Sequence, residues 1–121
     1  MKDMYTITIP ALPPSLNAYY AGVHWSKRKK DADQWHMAFG MAYKAAQLPT
    51  LLQYPITLSC TLFSKGNARD ADNCVIGSKF AGDALVKYGY LPDDSPKYIS
   101  TVILNSKKSE DGEDKTVIQI L

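Results

Sequence analysis

The chain lacks what would tie it to a membrane, a disulfide scaffold or a zinc module. No apolar run approaches the length that crosses a bilayer, and no basic-then-apolar leader opens it. Two cysteines, Cys60 and Cys74, are too few for a disulfide framework and lack metal-ligand spacing. Both are expected to be reduced thiols at or near the core of a cytoplasmic protein. Repeats, low-complexity segments and dividing linkers are absent too. With 121 residues there is room for one core and not for two, so residues 1–121 are expected to form a single domain. The composition, 45% apolar and 21% charged, excludes a disordered chain.

Net charge is only +2, which by itself implies no partner; its distribution says more. Lys27, Arg28, Lys29 and Lys30 form an unbroken basic run, while carboxylates gather at 70–72, at Asp93–Asp94 and around 110–114. Separate patches of opposite sign can hold a polyanion on one and metal ions on the other.

Periodicity gives the elements. Tyr5, Ile7 and Ile9 alternate with Thr6 and Thr8, a strand closed by Pro10. A proline-rich and tyrosine-rich loop follows. From Ser26 or Asp31 to about Gln47 the stripe Ala32, Trp35, Phe39, Ala42, Ala46 marks an amphipathic helix, stopped at Leu48–Pro49. The cleanest strand is "PITLSCTLF", with Ile56, Leu58, Cys60 and Leu62 on one face. A second helix is expected over 73–88, carrying Val75, Phe80, Ala84, Leu85 and Tyr88; Gly77 and Gly82 weaken it, each by up to ~1 kcal/mol. Gly89 and Pro92 end it. Two further strands, 98–105 and 115–121, flank a polar turn at Asp111–Gly112. The expected class is α/β (α+β): one mixed sheet with two helices, in the order β-α-β-α-β-β.

Asp70 and Asp72 stand two apart in "ARDADN", where a strand gives way to a helix. In extended backbone, residues at that spacing point to the same side, roughly 7 Å apart at Cα. Capping is the plainer alternative, since Asp72 or Asn73 could simply open the helix. "LPDDS" then presents Asp93 and Asp94. If the neighbouring strands pair, both acidic stretches come to the same edge of the sheet. Clustered carboxylates repel unless a cation offsets them, and magnesium suits oxygen ligands that leave waters for a phosphate to share. Lys79, two turns past Asp72, could lean back toward such a site; its dull role is a surface charge paired with Asp83. Arg69 could neutralise the aspartates or contact DNA.

If Ser26 caps the first helix, Lys27, Arg28 and Lys29 fill its first turn, opposing the helix dipole by about 0.3–1 kcal/mol each. Stability gives no reason for that arrangement, whereas a bound phosphate does. If the helix starts at Asp31, the run is a mobile basic loop suited to a DNA backbone. His24, Trp25, Tyr19 and Tyr20 beside it could stack on bases or pack the loop down.

"RDADN", "SKFAGDAL" and "YGYLPDDS", together with "LPPSLNAYY" near the start, resemble the signature of the RusA-type Holliday junction resolvases. These are small phage and prophage endonucleases, and the resemblance covers nearly the whole chain. It implies metal-binding, catalytic aspartates at Asp70, Asp72 and Asp94, with Asp93 the adjacent alternative, and a catalytic lysine at Lys79. It also implies a homodimer, magnesium (with manganese a possible substitute), and paired symmetric cuts in four-way DNA during recombination and repair. A cytoplasmic, nucleoid-associated protein of phage or prophage origin is implied likewise. One departure stands out: "CVIGS" separates Asn73 from Lys79, a longer spacing than the family pattern. Lys79 could keep its facing after the added turn, or the extra residues could bulge before the helix. A nuclease for flaps or other branched intermediates, and a non-catalytic DNA-binding protein, are the competing expectations.

Overall fold

The computed structural model describes residues 4–22 and 24–121; Val23, in the tyrosine-rich loop, lies outside them. Strand β1 is Tyr5–Ile9, followed by helices α1, Leu16–Tyr20, and α2, Trp25–Ala45. Strand β2 is Ile56–Ser64; a 3₁₀ turn, Ala71–Cys74, leads into helix α3, Val75–Lys87. Strands β3, Ile99–Lys108, and β4, Lys115–Ile120, complete the chain. The class is the mixed α+β one expected, with four strands in one sheet. It has three helices rather than two, because Ser15, read as loop, caps α1 by accepting a hydrogen bond from the Ala18 N–H.

The strand order is β1-β4-β2-β3. The last two strands flank the Asp111–Gly112 turn yet do not pair. β4 inserts antiparallel between β1 and β2, while β3 pairs with β2 in parallel. A parallel pair needs a crossover, and the 3₁₀ turn with α3 supplies it. The turn itself is fixed by Asp111, whose carboxylate accepts from the Ser109 hydroxyl, the Lys115 ammonium and the Glu113 N–H. Those contacts, the Ser109 bond foremost, hold its pKa well below the usual carboxylate range.

The alternation read from the sequence is what builds the core. Ile7, Ile9, Leu58, Cys60, Leu62, Ile118 and Ile120 are buried on one sheet face against Phe39, Tyr43, Ala84 and Leu85. Tyr43 has no solvent exposure, and its hydroxyl donates to the Pro49 carbonyl at 2.5 Å. Burial pushes its pKa up to about 12. Tyr88 is exposed, unlike the expectation for α3, while Ile76 and Ala81 join the buried set. Gly77 also has a purpose that helix propensity hides. A Cβ there would stand 3.1 Å from Cys60 Sγ and 3.2 Å from Pro13, so only glycine lets α3 lie this close to the sheet. Both cysteines are free and buried, as expected, and burial pushes the Cys60 thiol up to about 12.

Candidate functional site

The acidic segment begins where β2 runs out. Arg69 is drawn inward: its guanidinium Nη1 donates to the Pro13 carbonyl at 2.7 Å, and its own carbonyl accepts from the Ser106 hydroxyl. The segment is thereby fastened to the Pro13 loop on one side and to β3 on the other. Arg69 thus has a structural partner, and not the neighbouring carboxylates.

Asp70 occupies the cap position of the 3₁₀ turn, with its carbonyl accepting the Asn73 N–H at 2.9 Å. Its side chain makes no capping hydrogen bond. Asp72 lies inside the turn and is exposed. The same-side argument for the pair therefore fails. Asp70 is extended, but Asp72 is not, and in a 3₁₀ turn residues two apart are rotated roughly 120° from each other. Capping fails as an explanation too: α3 starts at Val75 with Cys74 in the cap position and no side-chain cap, so neither Asp72 nor Asn73 serves there. What remains is two solvated carboxylates without a structural task.

The other acidic stretch enters the sheet from the opposite end. β2 and β3 are parallel, so a residue following β2 and a residue preceding β3 lie at opposite ends of the pair. Asp70 and Asp72 follow β2, while Asp93 and Asp94 precede β3. Asp94 and Val75, the first residue of α3, nevertheless line one cavity on the flank of that helix. Among the described residues no three His, Cys, Asp or Glu side chains are gathered closely enough to hold a metal ion.

A different set does come together. Along the flank of α3 a surface cavity of about 350 Å³ is lined by Lys79, Asp83 and Asp94, with Ser78, over a floor that includes Leu58 and Val102. Lys79 sits one turn into α3, so the longer spacing after Asn73 is taken up by the 3₁₀ turn and the start of the helix. Its ammonium has no carboxylate in ion-pair contact among the described residues. Of the paired aspartates, Asp94 faces this cavity. Asp93 is occupied locally: hydrogen bonds from the Asp94 N–H, the Ser95 hydroxyl and the Ser95 N–H lower its pKa.

Asp83 was the alternative, purely structural partner for Lys79. It stands instead 3.8 Å from His36 Nε2 of α2. His36 Nε2 is buried without a hydrogen-bond partner, and the ring meets Phe80 edge-on at 5.8 Å. Burial lowers its pKa, opposed by the Asp83 carboxylate. Nothing in the sequence pattern flagged His36, because its neighbour Trp35 carries the apolar stripe.

The basic run is helical throughout. His24, not Ser26, caps α2, its Nδ1 accepting the Ser26 N–H at 3.2 Å. Lys27 pairs with Asp31 at 3.0 Å and Lys29 with Asp33 at 2.7 Å, each one turn on. Arg28 lies over the Tyr20 ring at 5.4 Å. Lys30 alone of the four has neither an ion pair nor a ring contact among the described residues. Tyr19 packs inward on Phe80, whereas Trp25 is exposed.

By donor chemistry the aspartates suit magnesium: hard oxygens, solvated and uncommitted, of the kind that share an ion with waters and phosphate. Their placement suits an open arrangement and not an all-protein cage. Comparison with protein-family models finds no match, and no curated protein matches the chain significantly.

Proposed function

We propose that the protein is a magnesium-dependent endodeoxyribonuclease acting on branched DNA, four-way junctions foremost. The observation that carries this reading is the cavity shared by Lys79 and Asp94, two residues singled out in the sequence, where an unpaired ammonium faces solvent beside carboxylates. An unpaired cation in a concave surface fits an anion better than it fits a structural role. The motif resemblance supplies the reaction class and the substrate.

Asp70, Asp72 and Asp94 are the carboxylates that would hold one or two ions, through bridging waters where they stand apart; a bound ion would supply Lewis acidity and a water of lowered pKa. The chain's own residues do the rest. Lys79 holds a phosphate in the cavity and stabilises the charge that develops on it. Lys30, with Lys27 and Lys29 behind their ion pairs, adds attraction along α2 for a neighbouring stretch of DNA backbone. Asp83 keeps anions from seating beyond Lys79 and so helps fix where the phosphate lies.

Labelled four-way, three-way and linear duplexes of matched sequence, incubated with and without magnesium, test the reading. Cutting of the four-way substrate in magnesium, with the linear duplex spared, is expected. Equal cutting of all three removes the junction from the proposal, and no cutting of any of them removes the nuclease.

A further inference from the structure

A second surface cavity, of about 420 Å³, runs along the solvent side of α2. Its size falls within the range of about 300–1,000 Å³ usual for small-ligand sites, and it shares no lining residue with the Lys79 cavity. Trp25 forms one end of it and is 63% exposed. The other tryptophan, Trp35, packs on Phe80 at 6.3 Å. Among the described residues Trp25 meets only one ring, that of His24 at 5.6 Å. Leaving so large an apolar ring in water gains nothing for the fold.

The charges in this groove are unequal. Lys29, Lys30 and Asp33 line it between Trp25 and Met37. The Asp33 carboxylate is answered twice, by Lys29 at 2.7 Å and by Lys87 of α3 at 4.0 Å. Lys30 has no ion pair among the described residues. The groove therefore offers one exposed aromatic ring and one uncommitted ammonium, on backbone positions roughly 7.5 Å apart along the helix axis.

From this pairing we infer that the α2 groove binds a short unpaired DNA strand, one base stacked on Trp25 and the adjoining phosphate held by Lys30. An aromatic ring beside a cation is the combination that holds single strands, since every base has a π face and every nucleotide a negative charge. In a duplex those faces are already stacked, so Trp25 has nothing to receive from paired DNA. An acidic peptide fits less well. Peptide grooves take apolar anchors at successive helical turns, whereas here Lys29, Lys30 and Asp33 lie between Trp25 and Met37, and Asp33 repels an acidic run. The assignment deepens the branched-DNA reading, on which its setting rests: strands left unpaired at a branch are the ones this groove would hold.

Binding of a labelled oligothymidylate of ~12 nucleotides, and of an abasic strand with the same backbone, tests the site without magnesium and without cleavage. The wild type should hold the thymidylate on the order of tenfold more tightly than the abasic strand. Trp25→Ala should erase that difference and Trp25→Phe should keep much of it, whereas Lys30→Gln should weaken both strands alike. Trp25 is exposed, so the circular dichroism spectrum of its variants should match the wild type. Equal affinity of the wild type for the two strands, or a Trp25→Ala loss of the same size on both, would overturn the proposal. So would an acidic, aromatic-containing peptide that binds more tightly than the thymidylate and depends on Trp25. Failure to cut junctions in magnesium, with the base-dependent binding intact, would remove the nuclease reading and leave this one; cutting without base-dependent binding would do the reverse.

Discussion

Two charged regions of this protein look alike in sequence and differ in structure. The basic run Lys27 to Lys30 was as conspicuous as the aspartates at 70, 72 and 94. On α2, however, Lys27 and Lys29 are answered one turn later by Asp31 and Asp33, and Arg28 covers Tyr20. The Lys29 hydrogen bond lowers the pKa of Asp33, as expected for a charge that already has its partner. Around α3 the balance is reversed. Asp70 caps a turn without using its carboxylate, and Lys79 opens on a cavity without an ion pair. Charge that local structure does not consume is the charge available to a ligand. That difference teaches more than the number of charges does.

The contrast can be broken most forcefully at Asp94. Asp94→Asn should lower junction cleavage by on the order of 100-fold or more, while Asp93→Asn, which removes only a local turn contact, should cost less than about fivefold. Initial rates on one labelled junction compare them, and equal losses would erase the distinction between the two. Lys79→Met comes next, with an expected loss of about 10–100-fold in rate and little change in thermal stability, because its ammonium supports nothing else.

On the basic side, the expectation is graded by pairing. Lys30→Gln should weaken junction binding several-fold and flatten the salt dependence of log K by about 0.9, the value of one phosphate contact. Lys27→Gln should change the slope by less, since that charge is already shared with Asp31. Binding titrations at several salt concentrations read this directly, and identical slopes for the two variants would contradict it.

The smallest effect expected is on stability. Burial depresses the His36 pKa below its ordinary 6.5. Between the folded and unfolded values the unfolded chain binds more protons, so stability rises with pH through that window. The contribution is complete above about pH 6.5 and is lost as pH falls below it. His36→Gln should flatten the fall of the denaturation midpoint as pH drops below about 6.5, and an unchanged slope there would count against the buried neutral imidazole.

Local patterns carried most of the fold into view. The alternation in "PITLSCTLF" and the stripe through Phe39 fixed β2 and α2 because burial on one face follows directly from period. α1 escaped because five residues are too few to show a period, and Ser15 alone announced it. Gly77 misled, since its cost to helix propensity is local and its benefit, contact with Cys60 and Pro13, is not. The site was legible as a set of residues and not as an arrangement. Sequence named Lys79 and Asp94. It could not show that β2 and β3 run parallel, so that Asp72 and Asp94 reach the flank of α3 from opposite ends of the pair, because strand pairing is a long-range choice. Asp83 and His36 belong to the same class of omission: their contact joins two helices far apart in the chain.

The most direct test of the nuclease account is a binding and cleavage comparison of the wild type and Asp70→Asn on one synthetic four-way junction, with magnesium present. The account predicts that the variant binds the junction at least as tightly, a negative charge having been removed from beside the DNA, and leaves it uncut. Cleavage by the variant at the wild-type rate would contradict it.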